Sequence, residues 1–250
     1  MESPRHQLSK AREKFNLLKP AFEKYATTNP FTVVTERSSS TGVVRTCLRR
    51  VKSTPITLAD AVNDAFEPLR KALDHVGYAV AKATGQRGKK CAFPFGDTER
   101  ELRARGATKG SSSEIPPEVF ELLVSFHPYK DGDQRLWALN EIANASKHRM
   151  VMAFPASPNS TSLHVIEMIG SGKLMYPWNE EAGEMVIAEV HDDTLLSIDE
   201  LSYRVHLVFG DIPVVGGQPI EPIFYYLEAK VKEILDSVEG MAKHLKLFSQ

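Results

Sequence analysis

Two stretches of the sequence place titratable and amide side chains at helical spacing. The first is Leu69-Arg70-Lys71-Ala72-Leu73-Asp74-His75. Asp74 follows Arg70 by four positions, so on a helix the two share a face and can pair. His75 is turned about 100° further round the axis. The second stretch is LWALNEIANASKHR, residues 136–149, in which Asn140, Asn144 and His148 recur at i, i+4 and i+8. Glu141 lies within i,i+3 reach of Asn144, and Lys147 and Arg149 flank the histidine. An imidazole that titrates near neutrality, a guanidinium for a phosphate and amides for orientation are sufficient for metal-free phosphodiester chemistry. Arg70, His75 and His148 are then the candidate catalytic residues, and Asp74, Asn140, Glu141, Asn144, Lys147 and Arg149 the candidate binding residues. The chemistry expected on this reading uses no metal and no cofactor. The same side chains admit two others. His75, His148, Asp74 and Glu141 are competent metal ligands, and the whole set also reads as a buried polar network that fixes helix register without any ligand.

Such chemistry needs the two helices to pack with a cleft between them. Periodicity gives the elements. Leu8, Ala11, Phe15, Leu18, Phe22 and Tyr25 recur at three- and four-residue spacing and predict a helix over 5–27, kinked or interrupted at Pro20. The β-branched runs 31–37 and 43–51, separated by SSSTG, predict a hairpin. Leu58, Val62, Ala65, Leu69, Leu73, Val76 and Val80 predict a helix over 57–84, opened by a capping box at Thr57 and Asp60, bent at Pro68 and stopped by Gly85. The stretch 85–115 is long for a connection and is expected to be a mobile surface loop with a short helix near 98–105. Pro117 at a first helical position predicts a helix over 117–126, and Asp133 caps a helix running to about 148. After Arg149 the pattern changes to strands at 149–154, 161–168, 184–190 and 202–209, closed by a helix over 222–247. The fold class is α+β: an N-terminal helical part with the hairpin 31–51, then an antiparallel sheet and a long C-terminal helix. Residues 1–150 and 151–250 form two parts or one integrated domain.

Composition narrows the function classes. At 250 residues, 42% hydrophobic and 25% charged, the chain has ordinary globular composition. No apolar run approaches the ~20 residues of a membrane span, and MESPRHQLSKAREKF lacks the apolar core of a secretory signal, so a cytoplasmic protein is expected. Two cysteines build neither a disulfide framework nor a four-cysteine zinc site. The net charge of −1 conceals a split, with 25 Lys+Arg against 17 Asp+Glu in residues 1–150 and 6 against 15 in residues 151–250. The basic excess gathers at Arg45, Arg49, Arg50 and Lys52 and again over 86–109. It reads as a surface for an anionic ligand, nucleic acid first, or as two halves that attract one another in the fold. GxxxxGK[ST], GxGxxG, HExxH, GxSxG and CxxC are all missing, which removes the common nucleotide folds, zincins, α/β-hydrolases and thioredoxins.

ALDH (72–75), FPF (93–95), FHPY (126–129) and LWALNEIANASKHR (136–149), in this order, resemble a family of bacterial proteins of similar length that has no assigned activity; the pattern covers residues 57–150. The helical part also resembles HEPN domains, helical bundles many of which are metal-independent ribonucleases of defence and toxin systems. Their mark is Arg, four to six residues, then His, and Arg70-Lys-Ala-Leu-Asp-His75 has that spacing. The resemblance implies Arg70 on the scissile phosphate, His75 as general acid/base, a cyclic phosphate product and a homodimer. Two expectations follow: a protein that binds, or binds and cleaves, RNA or another phosphorylated ligand, or a non-catalytic interaction protein whose polar stripes are structural and whose acidic C-terminal half contacts a partner.

Overall fold

The computed structural model describes residues 1–145, 151–154, 161–169, 171–174, 178–179, 181–191, 193–203 and 205–247. Their elements run α1 (Glu2–Ala26), β1 (Phe31–Arg37), β2 (Val43–Arg50), α2 (Ile56–Ala83), α3 (Glu99–Gly106), α4 (Pro117–Val124), α5 (Gln134–Asn144), β3 (Val151–Phe154), β4 (Thr161–Ile169), β5 (Gly172–Leu174), β6 (Glu184–His191), β7 (Leu195–Tyr203), β8 (His206–Phe209) and α6 (Ile220–His244). The fold is α+β, helices first, then strands, then a closing helix. The chain divides into two compact units, one built from 1–20, 56–152 and 208–250, the other from 21–55 and 153–207.

In the first unit α2 is the central element. Leu58, Val62, Leu69, Leu73, Val76 and Val80 are fully or almost fully buried, and this stripe sets the rotation of the helix against α5 and α6. Phe66 meets both Phe209 and Phe224 edge-on, and Phe224 stacks on Phe15 of α1 with centroids 3.9 Å apart. α1 and α2 run unbroken through Pro20 and Pro68, so neither proline interrupts its helix. α4 opens with Pro117 at its first position, and the Asp133 carboxylate caps α5 by accepting the Leu136 N–H at 2.9 Å.

In the second unit the hairpin joins the later strands instead of standing apart. β1-β2-β6-β5 form one antiparallel sheet, while β4 and β7 pair as a separate ribbon. Phe31, Leu48, Met185 and Ile187 pack on one face of the four-stranded sheet, with the Trp178 ring edge-on to Phe31. On the sheet Arg45 stands opposite Glu189 and Arg49 opposite Glu184. Arg49 reaches Glu184 and Glu36, each at 2.8 Å, and Arg45 reaches Glu189 at 3.3 Å. Of the first basic cluster, Arg50 lies over the Trp178 ring and Lys52 donates to the Thr28 carbonyl, while Arg45 and Arg49 are matched by acids of their own sheet. The same holds within the first unit, where Arg5 of α1 pairs with Asp236 and Glu239 of α6, and Arg12 with Glu228. Part of the charge asymmetry of the two sequence halves is thus taken up inside each unit.

Candidate functional site

α2 carries most of the candidate residues on two flanks of its buried stripe. Five positions separate Arg70 from His75, which turns them about 140° apart on a helix of 3.6-residue period. The structure follows that geometry. Arg70 opens on a cavity of about 250 Å³ with Phe93, Phe95, Arg105, Asn140 and Glu141, whereas His75 opens on another of about 650 Å³ with Ser3, Tyr78 and Cys91. The Arg70–His75 pair is thus not assembled on one cleft.

Arg70, Asp74, Asn140 and Glu141 are brought together. Arg70 Nη1 lies 2.5 Å from Asp74 Oδ2 and is itself buried; it lacks hydrogen-bond alignment, so the contact is an ion pair. Asp74 accepts the Phe93 N–H through its other oxygen at 3.0 Å. Arg70 Nε donates to Asn140 Oδ1 at a long 3.4 Å, and the Asn140 amide donates to Glu141 at 3.2 Å. The guanidinium sits 4.7 Å above the Phe95 ring. With Arg70 neutralised by Asp74, the rest of the cavity lining holds Asp97, Glu101 and Glu141 against Arg105 alone. A phosphate there would meet a carboxylate excess. The arrangement ties α2 to α5 and to the 91–97 segment.

Asn144 is the last residue of α5 and is exposed. Ala145 is extended, with φ −66° and ψ 144°, so the helical i, i+4, i+8 stripe ends at Asn144, earlier than the expected 148. Lys147, His148 and Arg149 lie outside the described residues. Among the described residues no three His, Cys, Asp or Glu side chains are grouped to hold a metal.

His75 Nδ1 stands 2.8 Å from the Ser3 hydroxyl at the start of α1. Along the same outer flank of α2, Lys71, His75, Tyr78 and Lys82 follow at i, i+4, i+7 and i+11. Tyr78, in the last two turns of α2, is 49% exposed. The chain then turns at Gly85 and Gly88, both in the left-handed region, and the Gly88 backbone presses so closely on the Tyr78 ring that a Cβ there would stand 2.5 Å from it. Arg87, Lys89 and Lys90 project from this turn. Neither these three nor Lys82 has a carboxylate within ion-pair distance among the described residues, unlike Arg103, which is taken up by Glu99 and Glu121.

The expected mobile loop is instead a tethered segment. Glu114 accepts the N–H groups of Gly88 at 2.6 Å and Lys89 at 2.9 Å. Ser112, fully buried, donates to the Ala92 carbonyl at 2.7 Å, and Arg105 donates to the Phe95 carbonyl at 3.1 Å. Cys91, Phe93, Phe95 and Leu102 are buried beneath it. Burial pushes the Cys91 thiol above its ordinary pKa, which keeps it protonated and unreactive.

No protein family, curated protein or solved structure matches this chain. Its residues carry the functional argument alone. Sequence reasoning passed over Ser3, Tyr78 and Lys82. The signal for the last two was their register with His75, which a search for core-facing apolar residues counts as noise.

Proposed function

We propose that this chain binds single-stranded nucleic acid across the outer flank of α2 and the 86–90 turn, RNA being the class that the HEPN resemblance implies. The observation that carries the reading is the exposed Tyr78 ring set among Lys82, Arg87, Lys89 and Lys90, four cations with no carboxylate partner among the described residues. An aromatic face stacks any base, and cations spaced around it take the flanking phosphates. The tethering of the turn by Glu114 holds those cations in place before the ligand arrives, which lowers the ordering cost of binding.

A structural role for the other polar stripe goes with this reading. Arg70 is engaged by Asp74, Asn140 and Phe95 at once, which favours a network that locks α2 to α5 over a phosphate ligand. A cleavage step on this surface would draw on His75 without Arg70.

Fluorescence anisotropy with a labelled single-stranded RNA 12-mer, titrated between 50 and 200 mM KCl, tests both statements. Four phosphate contacts on a single strand give a slope of log K against log[salt] of roughly −3, a loss of affinity of about 50-fold across that range. Lys89→Glu with Lys90→Glu should flatten the slope by about half, while Arg70→Ala should leave it unchanged. No retention of RNA at 50 mM salt refutes the interface, and a cleavage activity in EDTA that vanishes with Arg70→Ala refutes the structural assignment of the network.

A further inference from the structure

The cavity beside His75 lies directly against the proposed RNA-binding flank, and its lining differs in kind from that flank. Pro4, Ala79, Cys91 and Ala92 give it apolar walls, while Ser3, His75 and Tyr78 supply polar atoms and rings. Its volume, about 650 Å³, falls within the ~300–1,000 Å³ of small-molecule sites. We infer that this cavity receives one unstacked base of the bound strand, an inference that rests on the RNA-binding reading above.

Three features argue for a base over other occupants. Charge comes first. Of the carboxylates lining the cavity Asp74 is taken up by Arg70 and Glu2 remains, and no Lys or Arg belongs to the lining, so the cavity lacks the side-chain cations that an anionic group would need. The cations Lys82, Arg87, Lys89 and Lys90 stand outside its lining. The division suits a nucleotide, whose base is neutral and whose phosphate is not. Shape is the second feature. Tyr78 belongs to both surfaces, lining the cavity while its ring lies against Gly88 of the basic turn, so a strand following the lysines passes the cavity mouth. Hydrogen-bonding capacity is the third. Ser3 and His75 already exchange one hydrogen bond, which leaves the second ring nitrogen of His75 and the lone pairs of the hydroxyl for the edge of a base. Single-stranded RNA is commonly read in this way, by bases splayed onto tyrosine or histidine and bonded along their edges.

The cavity and the cations can be altered independently. Ala79→Trp fills the cavity from its wall, and His75→Ala removes the polar contact at a half-exposed position. Thermal unfolding confirms that each variant is folded. Each should weaken binding of the RNA 12-mer about tenfold, the size of one lost base stack, with the salt slope unchanged. RNA carrying 4-thiouridine, irradiated and digested with trypsin, should attach to the peptide Ala72–Lys82 in the wild type and lose that attachment in Ala79→Trp. Full RNA affinity in both variants, with the salt slope intact, overturns the base site and leaves the interface standing. Protein that captures a hydrophobic dye in the cavity, released by Ala79→Trp, while RNA cross-links elsewhere makes the cavity a site for an apolar ligand and overturns the inference too. Absence of any RNA binding at 50 mM salt removes both.

Discussion

Gly77 lies in the interior of α2, where alanine ordinarily stabilises a helix by about 1 kcal/mol over glycine. The structure reverses the sign. A Cβ at Gly77 would stand 2.0 Å from the Cys91 carbonyl oxygen, 3.1 Å from its carbon and 3.3 Å from Ile115 Cδ1. Backbone is the obstacle, so no rotamer change relieves it, and the 91–97 segment must move off the helix by more than 1 Å. That segment holds the Phe93 N–H on Asp74 and carries Phe93 and Phe95 into the core. Overpacking of this kind costs about 1–3 kcal/mol, so Gly77→Ala should be destabilising by up to ~2 kcal/mol after the helical gain of about 1 kcal/mol is subtracted. Gly240 in α6 is the internal control: nothing lies within 4 Å of its Cβ position, and Gly240→Ala should stabilise by ~0.5–1 kcal/mol. Urea unfolding of the two variants reads the opposite signs. A second readout is the Cys91 thiol, which donates to the Gly88 carbonyl at 3.3 Å and should react with a thiol reagent faster in Gly77→Ala than in wild type. A stabilised Gly77→Ala, or an unchanged Cys91 rate, would refute the close approach on which both cavities depend, since Ala92 lines each of them.

Two further outcomes follow from α5 and α6. Asp133→Ala removes the cap of α5 and the acceptor of the Tyr226 hydroxyl, which donates to it at 2.6 Å, and should cost ~1–3 kcal/mol in urea unfolding; Asp133→Asn should recover most of that. Burial, and then the bond to Asp133, raise the Tyr226 phenol well above its ordinary value. A group raised in the folded state gives stability that is complete below its unfolded pKa of about 10 and is lost as pH climbs toward the folded value, so stability should decline above about pH 10, and Tyr226→Phe should remove that part of the decline.

The sequence disclosed the helices well because a buried stripe on one face leaves an unambiguous three/four-residue rhythm, as in Leu69, Leu73, Val76 and Val80. The hairpin, the Asp133 cap and Pro117 at its helix start were legible for the same reason: each rests on chemistry local to a few residues. What escaped depends on partners distant in the chain. The hairpin joins the later strands through the pairing of β2 with β6, which sets Arg45 and Arg49 opposite Glu189 and Glu184 and Leu48 opposite Met185, and nothing local to residues 43–50 specifies that register. The end of α5 at Asn144 is marked by no glycine or proline, so the rhythm ran on past it. Of the site, the pairing of Arg70 with Asp74 was legible from i,i+4 spacing, whereas the separation of Arg70 from His75 needed only the helical angle, which the motif Arg-x4-His hides. The tether by Glu114, 25 and 26 residues from its two donors, had no local signal at all.

The ion pairs between α1 and α6 bear on how the protein is made. Arg5 waits for Asp236 and Glu239, 231 and 234 residues later, and Arg12 waits for Glu228, 216 residues later. At ~5–20 residues per second a ribosome takes roughly 10–50 s to cover that interval. For that time α1 has emerged with neither its acidic complement nor the ring of Phe224 that stacks on Phe15. The first unit is also interrupted twice by the second, so its closure cannot proceed from one end of the chain to the other. A nascent chain of this design presents a basic, half-apolar helix to its surroundings until residues 228–239 have emerged, and the first unit closes only once α6 has been made.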